Sequence, residues 1–372
     1  MKKSFKRIHL WLSVPFGLII SIVCLTGAAL VFEREINEKI NSHLYNVEAP
    51  EGARPMKLSD LARLVSEQVN DSLAIATFVI PAERNRSYQV TFSNLRRRSL
   101  CVNQYTGEVL GWPKSPPAFQ TIRKLHRWLM DAPERKGDKS VGKVAVGTAT
   151  LAMVFVLLTG LVIWWPRTRK VLKNRLQVSC TKGSRRFFYD SHVALGFYSM
   201  IFLLTMALTG LTWSFGWYRT AAYALLGASE KAQQPENGRP KEKGGEKKRQ
   251  KKQTDYTAWD KAAANIAGLY SGDYTSITIG NGTAQVTKSS EGHLRHTDEL
   301  AFNTKDGLIE DIKTWGEVSR SQKARGWFYA FHTGAWGGLL TKILYFIAAL
   351  IGGILPLTGY YLWIKRTRKK HK

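Results

Sequence analysis

The chain has 372 residues, with 55 Lys and Arg against 28 Asp and Glu and a formal charge of +27. So basic a balance excludes an ordinary acidic cytoplasmic enzyme and requires an anionic partner, either nucleic acid or an anionic membrane face. The three cysteines, none in a C-x-x-C or C-x-x-C-H arrangement, exclude a zinc ribbon, a thioredoxin-type site and covalently attached c-type haem.

Four apolar blocks organise the rest. Residues 1–9 carry Lys2, Lys3, Lys6 and Arg7 and precede a transmembrane helix over 10–32. Its apolar stretch exceeds a signal-peptide core and lacks a small-x-small cleavage site, so it reads as a retained anchor. Residues 33–142 follow as a small α+β domain. It has an amphipathic helix over 57–70, alternating strands such as Tyr88–Phe92, a hairpin over Val102–Val109 and an interfacial helix carrying His126. A second span covers 143–165, a basic loop 166–191 and a third span 192–215. The segment 216–337 contains a basic run over 228–254, whose low complexity reads as a disordered linker. A second small α+β domain follows, with a helix over 257–270, a strand over Thr275–Ile279 and a hairpin over Phe302–Ile309. A fourth span over 338–364 and a basic tail over 365–372 close the chain.

Each span is long enough to cross a hydrocarbon core of about 30 Å as a helix. Lys and Arg concentrate in the N-terminal flank, the loop 166–191 and the tail, which lie on one side of a four-span protein. The positive-inside rule makes that side the cytoplasm and puts both α+β domains outside, in the periplasm of a bacterial inner membrane. The basic linker then also lies outside, which removes nucleic acid as a partner and leaves the lipid bilayer.

The halves of the chain echo each other. His9 is followed 17 and 18 residues later by Thr26-Gly27, and His192 at the same distances by Thr209-Gly210. The second span ends Thr159-Gly160-Leu-Val-Ile-Trp164, the fourth Thr358-Gly359-Tyr-Tyr-Leu-Trp363. The expected fold class is therefore membrane α-helical: a four-helix transmembrane bundle from two parallel repeats, each with a small α+β domain on the outer side.

Four of the eight histidines sit where a span meets an interface: His9 and His192 on the inner side, His126 and His332 on the outer side. Two imidazoles converging between helices are the axial ligands a b-type haem requires, so two b-type haems are expected, an inner and an outer. Gly27, Gly210, Gly160 and Gly359 fall on helical stripes of small residues, which would leave room for a flat macrocycle. Arg123 and Arg127, with Lys124, flank the outer ligand and suit haem propionates. Packing and amphipathic anchoring explain any one of these histidines alone; the pairing of all four by leaflet and by repeat favours haem. Cys24, Cys101 and Cys180 fall in membrane, outer domain and cytoplasm and cannot pair, and His293-Leu-Arg-His296 reads as an exposed polar loop.

On the span openings and the Thr-Gly-x-x-x-Trp endings, the sequence resembles the PepSY-associated transmembrane helix proteins over nearly its whole length, with outer domains resembling PepSY modules. Members characterised as siderophore or ferric reductases carry two b-type haems in four helices. The resemblance implies an inner-membrane di-haem oxidoreductase, with His9 and His192 on the inner haem and His126 and His332 on the outer one. Electrons would pass to a periplasmic ferric-siderophore or other Fe(III) complex. The chain ends eight residues after Ile364, so the expected donor is external, a membrane quinol or a cytoplasmic reductase. The alternative is a haem-free, membrane-anchored PepSY protein that binds or regulates a peptide or protease; an iron or haem transporter ranks behind it. Span one departs from the family pattern, with Ser13 where the repeat has Gly196, and Pro15 nearby is expected to kink the helix above His9.

Overall fold

The computed structural model describes residues 2–69, 73–135, 138–228, 255–289 and 296–368. Most of the expected linker, residues 229–254, lies outside them, as do His293 and His371. The chain divides into two compact units, one of Met1–Glu33, Pro116–Glu230 and Ala324–Lys372, the other of Arg34–Ser115 and Lys231–Lys323.

In chain order the first elements are α1 (Lys2–Val31), α2 (Glu33–Ile40), α3 (Ser42–Tyr45) and α4 (Leu58–Gln68). Strands β1 (Ile75–Pro81), β2 (Tyr88–Phe92), β3 (Leu95–Val102) and β4 (Val109–Gly111) follow, then α5 (Pro117–Trp128), α6 (Val141–Trp164), α7 (Arg169–Arg175), α8 (Ser184–Ser214) and α9 (Gly216–Leu225). The second half continues with α10 (Thr257–Tyr270), β5 (Ser276–Gly280), β6 (Thr283–Thr287), β7 (Thr297–Phe302), β8 (Ile309–Lys313), α11 (Arg320–Thr333) and α12 (Gly338–Arg368).

In the helical unit, α1, α6, α8 and α12 are each long and apolar enough to cross a membrane. They close a ring in which α1 and α8 each pack against both α6 and α12. The outer faces display Trp11, Leu18, Ile201 and Leu340, whereas Gly17, Ile20, Cys24, Ala149, Ala152, Leu203 and Ala207 are buried. An apolar exterior over four such helices makes the bilayer the solvent of this unit. Helix α1 starts eight residues before the apolar block and α8 eight residues before His192, so His9 and His192 stand inside helices rather than at their starts. Pro15 and Pro356 are carried within unbroken helices. Near Pro15, Tyr360 packs over Gly17 and its hydroxyl donates to the Val14 carbonyl at 2.7 Å.

The chain turns sharply as it leaves α5. Leu129 and Met130 take left-handed conformations, with φ of 49° and 74°. The Asp131 carboxylate accepts from the Gly142 N–H at 2.9 Å, and the Ser140 hydroxyl donates to the Asp131 carbonyl at 2.7 Å while capping α6. A Cβ on Gly142 would fall 1.7 Å from the Trp128 carbonyl oxygen, so only glycine permits this approach of α5 to α6.

The sheet unit differs from the expected pair of separate α+β domains. All eight strands form one antiparallel sheet in the order β4-β3-β2-β1-β5-β6-β7-β8. The seam runs between β1 and β5, with Phe78 opposite Ile279 and Pro81 opposite Ser276. Each set of four strands would otherwise leave a long open edge, and pairing the two edges satisfies both. Strand alternation buries Val90, Leu100, Ile277, Ile279, Val286, Leu300 and Phe302 on one face, under Leu61 and Val65 of α4 and Trp259 and Ile266 of α10. The expected hairpins occur as Val102 paired with Val109 and Phe302 with Ile309. Their turns need Gly107 and Gly307 at φ of +75° and +74°.

Candidate functional site

The four interfacial histidines of the helical unit are each held by a neighbouring helix. His9 on α1 places Nδ1 3.0 Å from the Val156 carbonyl and 3.2 Å from Thr159 Oγ1, both on α6. His126 on α5 places it 2.9 Å from the Val23 carbonyl and 3.3 Å from Thr26 Oγ1 on α1. His332 on α11 reaches the Met206 carbonyl at 3.0 Å and Thr209 Oγ1 at 3.2 Å on α8. His192 on α8 meets Thr358 Oγ1 of α12 at 2.8 Å.

This arrangement fixes the protonation of the rings. The hydroxyls of Thr26, Thr159 and Thr209 donate to the Ile22, Phe155 and Thr205 carbonyls of their own helices at 2.6, 2.7 and 2.6 Å; Thr358 donates to Leu355 at 2.8 Å. A hydroxyl has one hydrogen, so each threonine oxygen faces the imidazole as an acceptor, and a carbonyl can only accept. Nδ1 therefore carries the proton in His9, His126 and His332, and also in His192, whose ring bonds the Leu355 carbonyl as well; Nε2 keeps its lone pair. No hydrogen bond engages Nε2 of these four histidines among the described residues.

The glycines admit the rings. A Cβ on Gly27 would lie 3.0 Å from Cε1 of His126, one on Gly210 3.1 Å from that of His332, one on Gly160 3.4 Å from that of His9 and one on Gly359 3.6 Å from that of His192. The Thr-Gly pairs read in the sequence as space for a macrocycle thus sit against imidazole edges, and each belongs to the histidine of a neighbouring helix. Gly17 and Gly196, on the small-residue stripes, meet Tyr360 and Leu355 instead and serve helix packing.

The rings meet in two pairs. His9 and His192 have centroids 6.5 Å apart with planes at 83°, and His126 and His332 6.3 Å apart with planes at 55°. Two coaxial imidazoles sharing one first-row metal through Nε2, with bonds of about 2.0 Å, stand about 6.4 Å apart between centroids. Both pairs match that span. Protonated Nδ1 atoms tied to carbonyl and hydroxyl acceptors are also the usual second shell of metal-ligating histidine. No group of three or more His, Cys, Asp or Glu able to hold a metal ion occurs among the described residues, so a bare ion would lack a ligand set here. Two facing imidazoles suit an iron whose remaining ligands come from a macrocycle.

Along α1, the level of His9 and that of Gly27 are about 27 Å apart. Ile20, Cys24, Ala149, Met153 and Leu203 pack into an apolar cluster between these levels. Around the His126–His332 pair, Trp213 packs edge-on against His332 with centroids 5.1 Å apart. Arg123 pairs with Glu33 while its own Nε is buried without a partner, and burial raises the Glu33 carboxyl pKa against the opposing pull of Arg123. Arg127 lies 4.4 Å over the Trp128 ring. Two residues before His192, the buried Asp190 accepts from Arg186 Nε at 2.8 Å. His296 stacks on Trp315 in the sheet unit.

The threonines and their adjoining carbonyls are the functional groups that sequence reasoning missed. The signal was present, because Thr precedes Gly at all four positions. No curated protein matches the chain significantly. The chain belongs to the family described as the PepSY-associated TM region, whose sequence profile matches residues 6–366.

Proposed function

We propose that the chain is a di-haem b oxidoreductase of the bacterial inner membrane, built from two parallel repeats, which passes electrons outward to a ferric complex such as a ferric siderophore. The observation that carries this reading is the set of four imidazoles with Nδ1 committed as donor and Nε2 open, paired at 6.5 and 6.3 Å. The basic loop and tail orient the inner pair to the cytoplasm by the positive-inside rule, and the sheet unit then lies in the periplasm. The donor is a membrane quinol or a cytoplasmic reductase.

His9 and His192 would hold the inner haem, His126 and His332 the outer one. Bound haem supplies a reversible one-electron exchange at its iron. The chain's own groups do the rest. The Thr-Gly pairs orient the ligands, and between the two levels lies the apolar cluster of Ile20, Cys24, Ala149, Met153 and Leu203, beside which the buried polar side chains Ser21 and Ser199 carry no charge. An uncharged interior of this kind supports an electron carrier over an ion transporter. Arg123 and Arg127, which flank His126 in the sequence, would bind propionates of the outer group by exchanging their present contacts with Glu33 and the Trp128 ring.

The test is an absorption spectrum of the detergent-purified protein, air-oxidised and then dithionite-reduced, with pyridine haemochrome quantitation. Two b-type haems per chain are expected, falling to one in His332→Ala or His126→Ala, with outer Fe(III) reduction lost in both. A colourless wild type that takes up no added haem refutes the reading and leaves a membrane-anchored PepSY binding protein.

A further inference from the structure

Three buried polar side-chain atoms of the helical unit have no hydrogen-bond partner among the described residues: Ser21 Oγ, Arg123 Nε and Trp164 Nε1. Trp164 closes α6, where an indole ordinarily turns its N–H to the headgroups as part of the aromatic belt. Here the N–H is buried, and the ring lies flat against Phe197 of α8, with centroids 3.7 Å apart and planes at 6°. A buried donor without an acceptor is costly, and the few that native proteins carry call for an explanation. The position of Trp164 supplies one. It follows Gly160, the residue beneath the His9 ring, by four positions, about 6 Å along α6. Helical side chains lean toward the N-terminal end of their helix, which returns the indole to the His9 level. Phe197, five positions after His192 on α8, leans back toward His192 by the same rule. The stacked rings therefore stand beside the His9–His192 pair. Arg175 donates to the Ile163 carbonyl at 3.1 Å and to the Trp164 carbonyl, and Lys2 to the Trp165 carbonyl at 2.8 Å, so two cations stand at the same end of α6.

We propose that Trp164 is a cofactor-anchoring residue, whose indole N–H donates to a carboxylate of the group held by His9 and His192. The inference rests on the di-haem reading. Helices α1 and α8, which carry the two ligands, stand across the ring of helices from each other. A macrocycle lies across the line joining its axial imidazoles, so its rim turns toward α6 and α12, and its propionates are the carboxylates on that rim. A donor beside two cations suits them, since hydrogen bonds to charged acceptors are the strong ones. The stack on Phe197 fixes the indole plane, and with it the direction of the N–H. A donor that draws charge from a propionate also favours reduced iron, which carries one positive charge less. The repeat supplies an internal control. Trp363 follows Gly359 as Trp164 follows Gly160, but Val14 stands five positions after His9 where Phe197 stands after His192, and Trp363 is 37% exposed.

The test uses full-length protein in detergent and compares wild type with Trp164→Phe, Trp164→Gln and Trp363→Phe. It reads the rate of haem transfer to excess apomyoglobin, the two midpoint potentials and the propionate bending mode in the resonance Raman spectrum. Trp164→Phe keeps an aromatic face for Phe197 and removes the N–H. One haem should leave about 10- to 100-fold faster, with a lowered midpoint potential and a shifted propionate mode, while the other haem is unchanged. Trp363→Phe should match wild type. The effect of Trp164→Phe should persist in a His332→Ala background, which retains the His9–His192 haem, and vanish in a His9→Ala background. Trp164→Gln restores a donor and should move the potential and the mode back toward wild type. Should Trp164→Phe lose that haem outright, Trp164→Gln should keep it; loss in both overturns the proposal. So does a Trp164→Phe protein equal to wild type in all three readouts, or one no different from Trp363→Phe. A wild type without haem overturns the di-haem reading and this inference with it, whereas a two-haem wild type with an unresponsive Trp164 overturns the inference alone.

Discussion

A series of Gly→Ala substitutions at the four ring contacts separates a steric role of these glycines from a general packing role. The added methyl would lie 3.0 Å from Cε1 of His126 at position 27, 3.1 Å from His332 at 210, 3.4 Å from His9 at 160 and 3.6 Å from His192 at 359. Carbon atoms rest comfortably about 3.5–4.0 Å apart, so the His126 ring must retreat by about 0.5 Å or more, while the His192 ring need not move. Retreat stretches the bond from His126 Nδ1 to the Val23 carbonyl, now 2.9 Å, and opens the 6.3 Å pair. Overpacking of this kind costs about 1–3 kcal/mol, which is about 5- to 150-fold in affinity for the haem proposed at the His126–His332 pair. Gly359→Ala meets only ordinary contact and gains up to about 1 kcal/mol of helix propensity. The expected order of haem loss is Gly27, Gly210, Gly160, Gly359, with Gly359→Ala keeping both haems and its thermal stability. The assay is pyridine haemochrome per chain alongside a melting curve. Equal loss at all four positions, or the greatest loss at Gly359, would refute the steric argument.

Two further outcomes test the scaffold. The backbone N–H of Gly142, with that of Val141, holds the Asp131 carboxyl below its ordinary pKa of 3.8, against some desolvation. A lowered carboxyl pKa stabilises the fold above the unfolded value and is lost as pH falls through the folded one. Asp131→Asn should therefore lower the melting temperature at pH 7, and its gap to wild type should shrink below pH about 4 and close in stronger acid; a gap independent of pH would remove Asp131 from the turn's stability. In the sheet unit, Gly307→Ala puts a methyl 2.3 Å from the Ala258 backbone oxygen, whereas Gly107→Ala meets the movable Leu64 side chain at the same distance. Both lose about 1–2 kcal/mol to the left-handed backbone, but only the first also forces α10 away from the sheet. Urea unfolding of the whole chain should show Gly307→Ala as clearly the weaker, and equal midpoints would contradict the close approach.

Much of the histidine arrangement was legible because it follows from a side chain's position along a span: His9 and His192 share one end, His126 and His332 the other, and the structure pairs them so. The role of Thr-Gly was not. The 18-residue spacing correctly puts Gly27 in phase with His9, yet phase on one helix does not reveal which neighbour covers that face, and the neighbour is α5 with His126. Helix extents were misjudged at Lys2 and Ser184 because hydropathy marks the limit of the apolar medium, while a basic segment can continue the same helix. The short α9, with Trp217 and Leu225 exposed, carried too brief a pattern to register. Both hairpins and both amphipathic helices of the sheet unit could be read from local alternation. The β1–β5 seam could not, since either strand alone reads as an ordinary edge.

That seam bears on how the protein is made. Strand β1 ends at Pro81 and its partner begins at Ser276, so 194 residues separate the two edges in the chain. At a synthesis rate of about 5–20 residues per second, about 10–40 s pass between the appearance of β1 and that of β5. Throughout that interval β1 offers an unsatisfied row of backbone donors and acceptors to any passing strand. The first four strands can form their own hairpins early, but the finished sheet must wait for the second half of the chain. Truncations that stop before Ser276, such as those made by stalled ribosomes, leave this edge permanently open, and they should be far more prone to self-association than the complete chain.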